Sequence, residues 1–127
     1  MSIADIAELP IETPALQAEA VLLEVPRQRV FIPSQITQNL IDLIPPNLLR
    51  VLMCESGVRH FDKRGNVLKS HTNDIGIMQI NVRAHVTRAK QLGYNLWDMS
   101  DNIRFGLLLY REQGLRPWVC ARKLGMV

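Results

Sequence analysis

The first clear helical period in the chain begins at Ser34, where Ile36, Leu40, Leu43 and Ile44 recur at three- and four-residue spacing behind a residue suited to cap a helix. Pro45-Pro46 closes that helix, and Pro46 suits the first turn of a second one. Leu48, Leu49, Leu52 and Met53 then form an apolar stripe leading into Cys54, Glu55 and Ser56, with Gly57 as the stop. From His60 the period disappears. Phe61-Asp62 and Val67-Leu68 flank Lys63-Arg64-Gly65-Asn66, a turn composition that predicts a short hairpin or structured loop. A polar stretch from Lys69 to Asp74 precedes Ile75-Gly76-Ile77-Met78-Gln79-Ile80-Asn81. Helical patterning returns over Val82 to Leu92, closed by Gly93. A last helix is expected from Asp98 or Ser100 to Gly114, with Ile103, Leu107, Tyr110 and Gly106 on one face. Trp118, between Pro117 and Val119, is expected to pack inside.

Ahead of Ser34, prolines at 10, 14, 26 and 33 cut the chain into short pieces, of which only Ala15 to Leu23 reads as a helix. The expected organisation is a loosely packed arm over residues 1–33 and one domain over 34–127. The fold class is mainly α (α+β), a small helical domain with a β-hairpin or loop insert. The 127 residues with 47% hydrophobic and 21% charged positions fit one ordinary globular domain and exclude a disordered or collagen-like chain. No apolar run reaches the roughly 18 residues of a membrane span.

Charge changes the picture more than composition does. The overall net charge is +3, but residues 1–26 hold Asp5, Glu8, Glu12, Glu19 and Glu24 and no base. The remainder sets fifteen bases against seven acids and carries +8. A basic body behind an acidic leader favours an anionic partner, and an electrostatic docking of residues 1–26 on that body is a further expectation. Nucleic acid is disfavoured, because no helix concentrates bases with interleaved aromatics. His60, His71 and His85 lack metal-ligand spacing, so no metal or other cofactor is expected. Met53, Met78 and Met99 read as core filling.

Glu55 is the position with chemical promise. A carboxyl that follows Val51-Leu52-Met53-Cys54 is expected to lie partly out of water, beside the carbonyls of a helix C-terminus, and both effects favour the protonated acid that a general-acid catalyst needs. Asp62 and Asp74 are the candidates for a second carboxylate, with Asp74 read foremost as a turn residue ahead of Gly76. The two cysteines, Cys54 and Cys120, are too few for a disulfide scaffold, and their number leaves one bridge or two buried thiols open.

Glu55-Ser56, followed some twenty residues later by Gly76-Ile77-Met78-Gln79, together with Asn102-Ile103, Gly106 and Tyr110, resembles the soluble-type lytic transglycosylases, whose catalytic domains have a goose-type lysozyme fold. The likeness covers about Ile36 to Trp118, roughly two thirds of the chain. It implies a lysozyme-like fold and cleavage of the bond between N-acetylmuramic acid and N-acetylglucosamine in peptidoglycan, with Glu55 as the single catalytic acid. It implies further that Ser56 holds that acid or contacts sugar, and that Gly76, Ile77, Met78, Gln79 and Asn81 belong to the substrate-binding loop. The family's closing Ala-Tyr-Asn-Gly motif is missing, which leaves Tyr110 or Trp118 to supply the aromatic beside the acid. A bridge between Cys54 and Cys120 would tie the active-site helix to the C-terminal tail and would suit an oxidising compartment. The expected setting is the cell wall, with peptidoglycan strands as partner, a monomeric enzyme, and export by phage lysis, virion or secretion machine, since no secretory signal pattern opens the sequence. The alternatives are a water-using muramidase on the same fold and a non-catalytic glycan-binding or phage structural domain.

Overall fold

The computed structural model describes residues 20–25 and 28–127, the first two stretches of it, up to Pro33, as backbone only. Two compact units divide between Asp42 and Leu43, nine residues beyond the expected boundary at 33/34. Of the arm expected over residues 1–33, residues 1–19, 26 and 27 lie outside the described residues, and with them most of the 1–26 leader whose docking on the basic body was expected.

In the first unit, β1 (Ala20–Val25) pairs antiparallel with β2 (Gln28–Pro33), in a register running from Ala20 opposite Pro33 to Val25 opposite Gln28. Ala20 to Leu23 are therefore strand, where a helix was expected; the Val30-Phe31-Ile32 stretch favours extended backbone, and pairing outweighs the modest helical preference of the Ala/Leu run. Helix α1 (Gln35–Asp42) begins as the sequence predicts, with Ser34 Oγ accepting the Thr37 N–H at 3.2 Å. Its exposed side carries Gln35–Asn39 and Gln38–Asp42 hydrogen bonds one turn apart.

The second unit is mainly helical. Helix α2 (Pro46–Glu55) starts behind Pro45 in extended conformation and buries Leu48, Val51 and Leu52 completely. The buried stripe is therefore rotated from the expected one, and Met53, 66% exposed, is not core filling. The chain then turns back on itself. Phe61 bridges Val67, the Leu68 N–H donates to the His60 carbonyl, and Lys69 bridges Ile75 in turn. The predicted turn over Lys63 to Asn66 is present, closed by Asp62, whose Oδ1 accepts the N–H groups of Arg64 and Asn66 at 2.8 and 3.0 Å.

Strands β3 (Asp74–Ile75) and β4 (Ile80–Asn81) pair antiparallel and hold Gly76 to Gln79 between them as a loop. Asn81 then caps α3 (Val82–Gln91) by accepting the Ala84 N–H. Asp98 caps α4 (Met99–Gln113) by accepting the Asp101 N–H, and Gly114 ends that helix at φ +64°. A final short helix, α5 (Val119–Lys123), was not expected, and α2 packs against it. The core gathers Leu48, Leu52, Ile77, Met78, Ile103, Phe105, Leu109 and Trp118 around α4. No helix among the described residues is long and apolar enough to cross a membrane.

Candidate active site

The loop from Ile75 to Gln79 is held by side chains from four separate parts of the second unit. Ser56, at the end of α2, donates its hydroxyl to the Ile77 carbonyl at 2.7 Å. His60 accepts the Ile77 N–H on Nδ1 at 3.1 Å, and its Nε2 lies 2.8 Å from the Trp97 carbonyl. Those two partners require the tautomer with the proton on Nε2. Burial pushes the His60 pKa down, and the bond to the Trp97 carbonyl opposes that only in part.

Asn102, fully buried on α4, accepts the Met78 N–H at 2.9 Å and donates to the carbonyls of Ile75 and Leu96. Trp118 donates its indole N–H to the Met78 carbonyl at 2.7 Å. The backbone donors and acceptors of Ile77 and Met78 thus all have partners inside the protein, as buried peptide groups must.

Two glycines make this grip possible. Gly76 sits at φ +75°, and a Cβ there would lie 2.4 Å from Asn102 Nδ2 and 2.7 Å from His60 Cε1. Gly106 on α4 leaves room for the Met78 side chain, which a Cβ would approach to 2.6 Å. Gln79 closes the loop at φ +48°, with both its backbone N–H and its side-chain amide donating to the Gly76 carbonyl.

Beside this loop opens a cleft of about 440 Å³ lined by Met53, Cys54, Glu55, Ser56, Gly57, Arg59, Leu68, Lys69, Ser70 and Gln79. Glu55 is the one carboxylate among these lining residues, and it is half-buried. Its Oε1 accepts the Cys120 backbone N–H at 2.8 Å, which fixes the carboxyl at the start of α5. Cys54 and Cys120 are joined as a disulfide, so the helix carrying Glu55 and the segment that holds it are covalently tied.

The residues implied by the family resemblance fall into two groups in the structure. Glu55, Ser56 and Gln79 line the cleft. Ser56 is only 4% exposed and spends its hydroxyl on the loop rather than on Glu55. Ile77, Met78 and Trp118 are buried and do not line the cleft, and Gly76 is packed on His60 and Asn102. Asn81 caps α3 and donates to Asp74, and Tyr110 donates its hydroxyl to Asn47. Neither of those two, nor Trp118, lines the cleft.

The two reserve carboxylates are engaged elsewhere. Asp62 serves its own turn, while Asp74 accepts from Ser70, Thr72 and Asn81 on its two oxygens. The turn role anticipated for Asp74 thus belongs to Asp62, and Asp74 ties a polar cluster together. Met53, Arg59, Leu68, Lys69 and Ser70 are cleft residues that sequence reasoning missed. Nothing in the motif or the turn composition set Arg59 and Lys69 apart from the other bases of the chain.

Comparison with protein-family models, curated proteins and solved structures finds no match to this chain.

Proposed function

We propose that the chain is a lytic transglycosylase of peptidoglycan, built on a lysozyme-like fold and acting at the cell wall. The observation that carries this reading is the solitary, anchored Glu55 carboxyl in an open cleft beside the Gly76–Gln79 loop. Glycosidases that work with two carboxylates hold the pair about 5–5.5 Å apart for a covalent intermediate, or about 6.5–9.5 Å apart for a water. Among the described residues no second carboxylate lines the Glu55 cleft, while Asp62 and Asp74 are committed to local hydrogen bonds. One carboxyl suffices when the nucleophile belongs to the substrate.

In this mechanism Glu55 donates its proton to the glycosidic oxygen, which departs as the 4-hydroxyl of N-acetylglucosamine. The ionised Glu55 then takes the proton of the muramoyl C6 hydroxyl as that oxygen bonds to C1. The product is a 1,6-anhydro sugar, and Glu55 ends protonated as it began. Closure within one sugar ring gains from high effective molarity once the glycan is seated. The Cys120 amide contributes by keeping Oε1 in place, so that the carboxyl meets the glycosidic oxygen without searching rotamers.

The deciding experiment is chromatography with intact-mass detection of purified peptidoglycan digested by wild type and by Glu55→Gln. Products ending in 1,6-anhydromuramic acid from wild type alone are the expected result. Reducing-end products, heavier by one water, would move the assignment to a muramidase. Absence of products from both proteins would leave a glycan-binding or structural domain.

A further inference from the structure

The wall of the Glu55 cleft carries two cations whose charge nothing in the described structure balances. Arg59 donates through Nε to the Ser56 carbonyl at 3.4 Å, and Lys69 makes no hydrogen bond or ion pair to a described residue. The ion pairs formed among the described residues, Arg88–Glu112 and Arg104–Asp101, lie on other surfaces. Arg59 lies before and Lys69 after the segment closed by the Phe61–Val67 bridge and the Leu68 to His60 bond, and both line the cleft. Both then flank the cleft with Gln79 on the loop that Lys69 itself bridges through Ile75. Two exposed positive charges against one carboxyl leave the cleft cationic among its described lining residues, and a guanidinium whose Nη groups bond to no described residue is suited to paired hydrogen bonds with a carboxylate.

We infer that Arg59 and Lys69 form a carboxylate-recognition subsite, which selects glycans bearing carboxylates over neutral amino-sugar polymers. This inference rests on the glycan-cleaving reading of the same cleft and adds to it the chemistry that distinguishes one glycan from another. The carboxylate has two sources in the proposed substrate, the lactyl group of a muramoyl residue without its peptide and the acidic residues of the peptide stem.

The test uses the full-length chain carrying Glu55→Gln, so that binding is read without turnover. Calorimetric titration compares a neutral N-acetylglucosamine tetramer, a muramoyl-containing tetramer stripped of peptide, and the same tetramer with its stems. The expected result is tighter binding of a carboxylate-bearing tetramer than of the neutral one, on the order of fivefold for such exposed charge pairs, shrinking as salt is raised. Adding Arg59→Gln and Lys69→Gln removes the difference, and Arg59→Lys with native Lys69, which keeps the charge but not the paired donors, retains only part of it. A gain confined to the stem-bearing tetramer assigns the stem as the source; a gain shared with the stripped tetramer assigns the lactyl carboxylate. Equal affinity for all three sugars, or a difference that survives loss of both bases, overturns the inference while leaving the glycan reading intact. Binding of none of the three overturns both.

Discussion

Cys120 holds Glu55 twice, once by donating its backbone N–H to Oε1 at 2.8 Å and once through the disulfide to Cys54, the residue before Glu55. The first contact orients the carboxyl, and the second keeps α5 against α2 so that the first can persist. Position 55 therefore depends on a residue 65 places away in sequence. The catalytic reading and the stability of the second unit are joined at this point.

Reduction of that bridge is expected to weaken fold and activity together. A cross-link closing a loop of 66 residues limits the unfolded chain by about 4 kcal/mol in the loop-entropy model. Cys54→Ala with Cys120→Ala should lower the urea midpoint accordingly, and glycan cleavage should fall further than the remaining folded fraction explains, because Glu55 loses its fixed partner. Unchanged cleavage per folded molecule after reduction would show that the amide contact survives without the bridge.

The Gly76 position gives a sharper test of the loop's packing. Gly76→Ala sets a Cβ 2.4 Å from Asn102 Nδ2, within a network that also fixes Met78 and Leu96, and does so at φ +75°. Overpacking and backbone strain each cost on the order of 1–3 kcal/mol. Gly106→Ala meets the thioether chain of Met78 instead, carries no positive-φ penalty, and gains up to about 1 kcal/mol of helix propensity. Urea titrations should therefore rank Gly76→Ala as clearly the more damaging of the two, and the reverse order would contradict the packing described for Asn102 and His60.

Much of this architecture was legible in the sequence because it depends on local signals. Pro45-Pro46, Asp98 and Gly114 mark helix ends by stereochemistry that needs no tertiary partner, and they stand where the pattern put them. The Lys63–Asn66 turn and the burial of Trp118 follow from composition in the same way. What escaped is what pairing and packing decide. Ala20–Leu23 joined a strand because Gln28–Pro33 lies opposite, and α5 is too short to show a period. Met53 turned outward because Val51 took the buried place on α2. Within the site, Glu55 and the Gly76–Gln79 loop stood out by motif, but the motif does not tell lining residues from supports. Ile77, Met78 and Trp118 prove to be supports, and Arg59 and Lys69, which belong to no pattern, prove to be lining.

His60 makes stability depend on pH in a defined direction. Its pKa is lowered by burial from the ordinary 6.5, so the unfolded chain binds the proton more readily than the folded one. Its contribution is complete above about 6.5 and is lost as pH falls from there through the lowered folded value. Protonation would also place an N–H on Nδ1 facing the Ile77 N–H, breaking the loop's grip. His85, half-buried beside Arg88 and lowered chiefly by burial, acts in the same sense, so a residual slope is expected after His60 is removed. Urea midpoints between pH 7.5 and 5.5 should fall in wild type and fall less steeply in His60→Gln, which will be less stable at the upper end. Parallel slopes in the two proteins would exclude His60 as the sensor.

The single-carboxylate mechanism makes opposite demands on Glu55 and on the two aspartates. Glu55→Gln keeps the shape of the side chain and an oxygen for the Cys120 amide, but removes the transferable proton; a general acid of this kind contributes roughly 10²- to 10⁴-fold to rate. Asp62→Asn retains an oxygen able to accept from Arg64 and Asn66, and it should leave peptidoglycan cleavage within about twofold, the scale of a modest change in a neutral as against a charged acceptor. Asp74→Asn turns one acceptor of the Ser70–Thr72–Asn81 cluster into a donor, so its cost should appear in the urea midpoint and in cleavage to the same extent. Rates of anhydro-product release for the three variants, each set beside its own unfolding curve, decide the matter. A fully folded Asp62→Asn or Asp74→Asn protein with activity lowered as far as that of Glu55→Gln would bring a second carboxylate into the reaction and favour attack by water over closure of the muramoyl ring.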